Sequence, residues 1–456
     1  MTATWLDPDR LFPPDPATRS VARDLFALVE HAPIVSPHGH VDPGLLLHDT
    51  PFTDAAALLV SSDHYVTRLL HADGVPLELL LHGDAREVWR AFSARWHLFA
   101  GTASGTWLRE TLGTIFSLPE PPNGDNADEV FDLIGAQLAE ARLRPRALFA
   151  SFGIDVLATT DGPMDDLAAH AAIAADPAFP GRVLPTFRPD AYLDPSRPGW
   201  RDAVERLGAS GYTGYLDALR ARRAFFLDHG AVSADHGVVH AASLDLNPSE
   251  AAALFDKGMA GTIDAAEAEV FRAHMLFESA RMSVEDGLVM TVHAGVHRNH
   301  HSATLRDFGP DTGHDIPLAT SFTGTLHPLL ERFGTAAGFH LILFALDESV
   351  WSREVAPLAG FYPAVFVGAP WWFLDAPDAI LRFRAATAET AGLYRGSGFI
   401  DDTRAFLSIA ARHATARRLD SAYLARLVVE GRISRAEAER IAHDLVDAIP
   451  RRAFRL

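Results

Sequence analysis

Histidines and aspartates that close apolar runs are the first chemical signal in this chain. His38-Gly39-His40 ends the run Pro33–Val41 (PIVSPHGHV). In extended backbone, residues two apart face the same side, so both imidazoles can reach one ion. A chain with 22 His among 456 residues is expected to hold such a pair by chance. The pair therefore gains its meaning from its place, with Asp42-Pro43 ending the run directly after it. Two further donors close other runs: His293 ends VMTVH and Asp402 ends GFIDD. Two or three imidazoles with one carboxylate form a donor set for one divalent metal ion, Zn²⁺ first, with Mn²⁺, Fe²⁺ or Co²⁺ open to the same ligands. Each donor also has a plainer reading. His293 would serve as a core histidine bonded to a carbonyl, and Asp402 as the N-cap of a helix beginning near Arg404. Agreement among three run ends favours the metal.

The elements that must position these residues are eight short β-branched or aromatic runs, most of them separated by helical stretches. They are Pro33–Val41, Asp155–Thr160, Val183–Arg188, Ala231–Asp235, Val289–His293, Leu341–Asp347, Ala364–Gly368 and Gly398–Asp402. Strands alternating with helices predict a parallel sheet, and eight of them suit a closed α/β barrel of the (β/α)₈ TIM type. Such barrels carry their active sites at the C-terminal strand ends, where nearly every run here finishes in His, Asp or Arg. The interval between the first two runs is far longer than an ordinary crossover. Thr53–Ser61, Ala85–Trp96 and Asp128–Arg142 show helical spacing within it. The chain thus divides into residues 1–43 (N-terminal segment and first strand), 44–150 (a helical insertion over the barrel mouth), 151–410 (the rest of the barrel) and 411–456 (C-terminal helices). Ser434-Arg435-Ala436-Glu437 has the pattern of a capping box.

Composition narrows the partners. The formal net charge is −19, with no basic stripe, which excludes nucleic acid and an anionic membrane surface. A small carboxylate remains open, provided that local arginines hold it against the global field. There is no cysteine, so disulfides, thiolate nucleophiles and Cys-based zinc sites are excluded. No apolar run reaches the roughly 18–20 residues of a membrane span. The start, Met1 to Pro8, lacks the basic and apolar regions of a signal peptide, so a cytoplasmic location is the expectation.

Further segments carry a resemblance. Ser62-Asp63-His64-Tyr65, Ala72-Asp73-Gly74-Val75, the stretch Thr159–Leu167 (TTDGPMDDL), Leu184–Asp190 (LPTFRPD), Ala234-Asp235-His236, His293–Asn299 (HAGVHRN), Gly309-Pro310-Asp311, Pro370-Trp371-Trp372-Phe373 and Asp402–Phe406 (DTRAF) follow one another from about residue 30 to 410. In this order the chain resembles the uronate (glucuronate) isomerases of the amidohydrolase superfamily. The resemblance implies metal ligation by His38, His40 and Asp402, with His293 as a further ligand. It also implies substrate contacts from Arg188, Arg298, Arg404 and Asp235, and a role for His64 and Tyr65 from the inserted region. The implied reaction interconverts D-glucuronate with D-fructuronate, or D-galacturonate with D-tagaturonate. Such enzymes are commonly homo-oligomers, and that assembly is assumed for this chain. Two departures stand out: Gly39 replaces a cysteine, and an arginine near Ser349 is missing, with Arg353 as a candidate substitute.

Aldose–ketose isomerisation needs a base for a weakly acidic C–H, stabilisation of the enediolate, and an acid to return the proton. Asp402, or a hydroxide held beside it by the metal, is expected as the base, with Tyr65 and His64 handling the proton at the other carbon; the reverse order, with Tyr65 first, also fits. Trp372 is expected in the wall of the sugar pocket, and His297, His300 and His301 in loop packing or support of the site. The competing readings are a metal-dependent hydrolase acting on a lactone or ester of a sugar acid, and a non-catalytic sugar-acid-binding protein.

Overall fold

A computed structural model of the chain describes residues 5–456. Parallel strands follow one another around a barrel: β1 (Ile34–Ser36), β2 (Ile154–Ala158), β3 (Arg182–Leu184), β4 (Ser233–Val238) and β5 (Val289–Ala294). A short antiparallel hairpin, β6 (Val296–His297) with β7 (Ile316–Pro317), interrupts the series, and β8 (Leu341–Ala345) and β9 (Val365–Val367) resume it. The hairpin is not visible as a periodic pattern, because each of its strands has only two residues. β3 and β4 are joined by a single bridge between Phe187 and Ala234.

Two expectations need correction. The eighth run, Gly398–Asp402, forms no paired strand. Gly396 bridges Val367, and the Ser397 N–H donates to the Val367 carbonyl at 2.8 Å. Gly398 then turns the chain at φ +75°, away from the extended ladder. At its far end the His40 N–H donates to the Thr403 carbonyl at 3.0 Å. The barrel is closed here by single bonds. The first run is likewise shorter than its apolar pattern. β1 stops at Ser36 because Pro37 has no N–H to extend the ladder. His38 and His40 therefore lie beyond the strand, in irregular backbone.

Strand alternation sorts the side chains. Met290 and Val292 pack outward with Leu341, Leu343, Val365 and Val367 beneath the helices. Val289 joins Ile342, Phe344, Phe366 and Ile400 in an interior cluster that also takes in Ala453 and Phe454. Because His293 shares the parity of Val289, it too points inward, stacking on Phe344 with ring centroids 4.1 Å apart.

The chain between β1 and β2 is helical, including Ala85–Ser93, Ala103–Thr114 and Ala127–Leu138. Its apolar faces (Val66, Leu70, Trp89 and Phe92 among them) form one core cluster. The helix His64–Ala72 is the part that matters for chemistry. Asp63 caps it, accepting from the Tyr65 N–H at 2.8 Å, so His64 and Tyr65 are fixed in its first turn. At the other end of the chain come the helices Ser408–Val429, Arg435–Val446 and Ala448–Phe454, with the capping box of Ser434 and Glu437 formed. Arg417, buried in the first of these, donates to the carbonyls of Glu30, Ala32 and Pro33 and so fastens the entry to β1. No helix among the described residues is long and apolar enough to cross a membrane.

Candidate active site

A cavity of about 670 Å³ lies where the strands end at their C-terminal side. Thr160 and Asp161 after β2, Arg188 after β3, Val238 of β4 and His293 of β5 line it. The helical segment contributes His64 and Tyr65, the hairpin region Arg298, and the late loops Trp371, Trp372, Asp402 and Arg404.

His38, His40 and Asp402 converge. Asp402 Oδ1 stands 3.3 Å from His38 Nε2 and 2.9 Å from His40 Nε2. These approaches lack hydrogen-bond alignment, so Asp402 Oδ1 is buried without a donor. Buried polar atoms are normally satisfied, and an orphaned carboxylate oxygen facing two converging imidazole nitrogens fits a divalent cation. Asp402 is also held at φ +43°, a conformation that costs a non-glycine residue energy and recurs at functional sites. The helix that follows begins only at Ser408, so Asp402 is not its N-cap.

His293 belongs to a second group, with His38 and Asp235, whose potential ligand atoms also lie within 4.8 Å of one another. Its Nδ1–H donates to Asp235 Oδ1 at 2.6 Å, leaving Nε2 buried and without a partner. This is the arrangement by which a carboxylate fixes the tautomer of a metal-binding imidazole. Asp235 also accepts from the Thr291 hydroxyl at 2.7 Å and lies 3.3 Å from Arg188 Nη1. It stands behind the cavity wall rather than in it.

Electrostatics favour the ligand-competent form at Asp402, His40 and His293, whereas at His38 the carboxylates of Asp235 and Asp402 outweigh burial and raise the imidazole. Burial alone would raise the Asp402 carboxyl, but contacts from His38 and His40 hold it well below the usual range. Burial is likewise overcome at Asp235 by His293 and Arg188. Burial pushes His40 and His293 down toward the neutral imidazole, whose lone pair is the one that binds metal.

The expected substrate contacts are brought to the same space. Arg188 is held by Asp190 (Nε to Oδ2, 2.9 Å). Arg298 is held by Asp315 at 2.9 Å and lies over the Trp372 ring at 4.8 Å. Arg404 meets Asp311 at 3.4 Å. The side chains of Arg298 and Arg404 remain 41% and 43% exposed toward the mouth. Trp372 and Phe373 take φ +28° and +57°, rare for bulky residues, and the indole N–H groups of Trp371 and Trp372 are buried without partners. His64 stacks on Tyr65 at 5.2 Å, and neither of its ring nitrogens has a partner. Arg353 does not fill the place of the missing arginine. It is 61% exposed, paired with Glu354, and absent from the cavity lining. In the hairpin loop, His297 packs against His300 and His301 meets Thr304.

Several cavity residues escape a reading of the sequence. Arg412 lines the cavity from the helix Ser408–Val429 and donates to Asp375 Oδ2 at 2.8 Å. Asp375 in turn accepts from the Tyr65 hydroxyl at 3.2 Å. Asp375 precedes Ala376-Pro377 at a helix start and reads as a turn residue, so no local signal distinguishes it. Asp161, also in the wall, has its carboxyl raised to about 6 by burial, against hydrogen bonds from Thr159 and the Thr186 N–H.

A parallel barrel with converging imidazole and carboxylate donors at its C-terminal mouth, flanked by arginines, defines a barrel enzyme with a metal-type site. The chain belongs to the glucuronate isomerase family, whose sequence model matches residues 17–453. It is 50% identical over 461 residues to the uronate isomerase of Corynebacterium efficiens, covering 98% of each chain. It is also 50% identical to that of Rhizorhabdus wittichii, covering 99% of this chain and 98% of the relative. The crystal structure of glucuronate isomerase from Caulobacter crescentus superposes with a TM-score of 0.97 at 47% identity, covering 99% of this chain and 97% of the other. Uronate isomerase from Thermotoga maritima superposes with a TM-score of 0.93 at 27% identity, covering 99% of each.

Proposed function

We propose that this enzyme interconverts an aldohexuronate and its ketohexuronate, D-glucuronate with D-fructuronate or D-galacturonate with D-tagaturonate. One observation carries the reading: His40 and Asp402, converging with buried His38, line one cavity with Arg298, Arg404, His64 and Tyr65. Family membership supports the same reaction. His38, His40 and Asp402 hold the metal ion, with His293 Nε2 as a further donor and Asp235 fixing the His293 tautomer. When bound, the ion, zinc by the donor chemistry, supplies positive charge that offsets the charge of the enediolate.

The chain's own groups do the rest. Arg298, Arg404 and Arg188 grip the carboxylate and hydroxyls with planar guanidinium forks, which answers the opposition of a −19 protein to an acidic substrate. Trp372 walls the sugar and excludes water. Asp402 takes the C2 proton, and Tyr65 with His64 returns one at C1 while the hydroxyl proton crosses from O2 to O1. Burial holds the Tyr65 phenol well above its ordinary range and pushes His64 down, so both rest neutral.

Incubation with glucuronate and with galacturonate, following ketose formation, tests the proposal. Ketose from at least one is expected. Lactone or ester hydrolysis with no ketose from either acid would select the hydrolase reading instead.

A further inference from the structure

Tyr65 presents a chemical problem that its surroundings solve. A phenol held neutral can give a proton to carbon only if another group refills it, and can take one only if another group drains it. Among the described residues, the Tyr65 hydroxyl touches one carboxylate, that of Asp375, at 3.2 and 3.4 Å, while the Phe373 N–H donates to the same oxygen at 3.0 Å. Asp375 does not line the cavity, so substrate cannot reach it. Its other contact is Arg412 Nη1 at 2.8 Å, and Arg412 also donates to the Asp401 carbonyl and lies 3.6 Å from the Trp107 ring centroid. Both Asp375 and Arg412 are buried. Phenol, carboxyl and guanidinium thus form a chain of three, of which Tyr65 and Arg412 line the cavity and Asp375 does not.

We infer that Asp375 is a positioning residue through which Tyr65 works, refilling the phenol as Tyr65 gives its proton to C1 and draining it when the reaction runs backward. The inference rests on the isomerase reading above. Toward the ketose, the enediolate's electron pair forms the new C1–H bond, the Tyr65 O–H bond breaks, and the Asp375 carboxyl proton moves to the phenol oxygen. Asp402 then holds the C2 proton and Asp375 is ionised. Between turnovers one proton leaves Asp402 for solvent, and another returns to Asp375 through the Tyr65 hydroxyl. Toward the aldose each transfer reverses. Tyr65 stays neutral throughout, and Arg412 holds the carboxyl in place. The groups that face Asp375 are Arg412 from the C-terminal helix, Tyr65 from the inserted helix, its own N–H, and the charge of Asp402. Burial outweighs Arg412 and Tyr65 and raises the carboxyl to about 6, so it is filled below that pH and empties above it.

The test compares wild type with Asp375→Asn, Tyr65→Phe and the double variant, in the aldose-to-ketose direction, using whichever uronate wild type isomerises. Asp375→Asn should lower kcat about 100-fold with KM within about threefold, the scale of a lost acid–base carrier. The double variant should lie within about threefold of Tyr65→Phe, because a unit already broken cannot break twice. A kcat within threefold of wild type, or losses that multiply, overturns the inference. Should the Asp375→Asn substitution unfold the chain, the kcat–pH profile decides: a fall above about pH 6 in wild type that disappears in Tyr65→Phe sustains the relay. A fall that persists in Tyr65→Phe, or no fall in wild type, overturns it. Absence of ketose from wild type with any uronate would refute the isomerase reading itself, a different failure.

Discussion

Replacing Asp235 by Asn is the sharpest probe of how the second donor group is held. Asp235 is wholly buried, and its Oδ1 accepts from His293 Nδ1 at 2.6 Å and Thr291 Oγ1 at 2.7 Å. Both bonds are charge-assisted, and loss of the charge weakens each by roughly half, about 1 kcal/mol apiece. The Arg188 guanidinium, 3.3 Å from Oδ2, would face an amide but keep its 2.9 Å contact with Asp190, so the uncompensated charge adds only about 1 kcal/mol more. The total is roughly 3 kcal/mol of stability, enough to lower the thermal midpoint clearly without unfolding the chain. The effect on metal should be larger in proportion. The Asn side chain no longer compels the Nδ1–H tautomer of His293, and loss of such a supporting carboxylate weakens metal affinity about 10- to 100-fold. Competition with a chromophoric chelator measures that affinity, and a thermal melt measures stability. Affinity within twofold of wild type, with the expected loss of stability, would show that His293 takes no part in holding the ion.

The other predictions follow from the same geometry. His40→Ala and Asp402→Asn should each cut turnover by at least about 100-fold with circular dichroism unchanged; activity within a few-fold of wild type would mean that the site is misassigned. Arg298→Lys should raise KM about tenfold with kcat within threefold, since an ammonium cannot reproduce the fork, and steady-state kinetics decides it. Asp161, raised to about 6 by burial, binds its proton more tightly when folded. Its contribution to stability is therefore full below the unfolded value near 4 and is lost as pH rises through about 6. Denaturation midpoints should accordingly show a smaller loss between about pH 4.5 and 6.5 in Asp161→Asn than in wild type, and an identical or steeper loss would contradict the assignment.

What is legible in the sequence, and what is not, follows from how local each signal is. β5 can be read because VMTVH is an apolar run whose alternation alone sends His293 inward. The barrel's eighth position reads as a strand from GFIDD, but a strand is made by its partners, and here Gly398 leaves the ladder after a single bridge. The histidine pair reads correctly as convergent for a reason only half right: Pro37 ends β1, and convergence comes from the bond between His40 and Thr403. Asp375 is invisible because its meaning depends on Tyr65, 310 residues earlier, and on Arg412 in a helix that reads as ordinary C-terminal packing.

The proposed chemistry needs a caged divalent ion to serve an acidic sugar. Its most direct test is to strip the purified protein with a chelator, restore one metal at a time, and follow ketose formation from glucuronate and galacturonate alongside metal content. The expected result is one ion per chain bound in wild type, activity lost and regained with it, and neither binding nor activity in Asp402→Asn. Full isomerase activity in metal-free protein would contradict it.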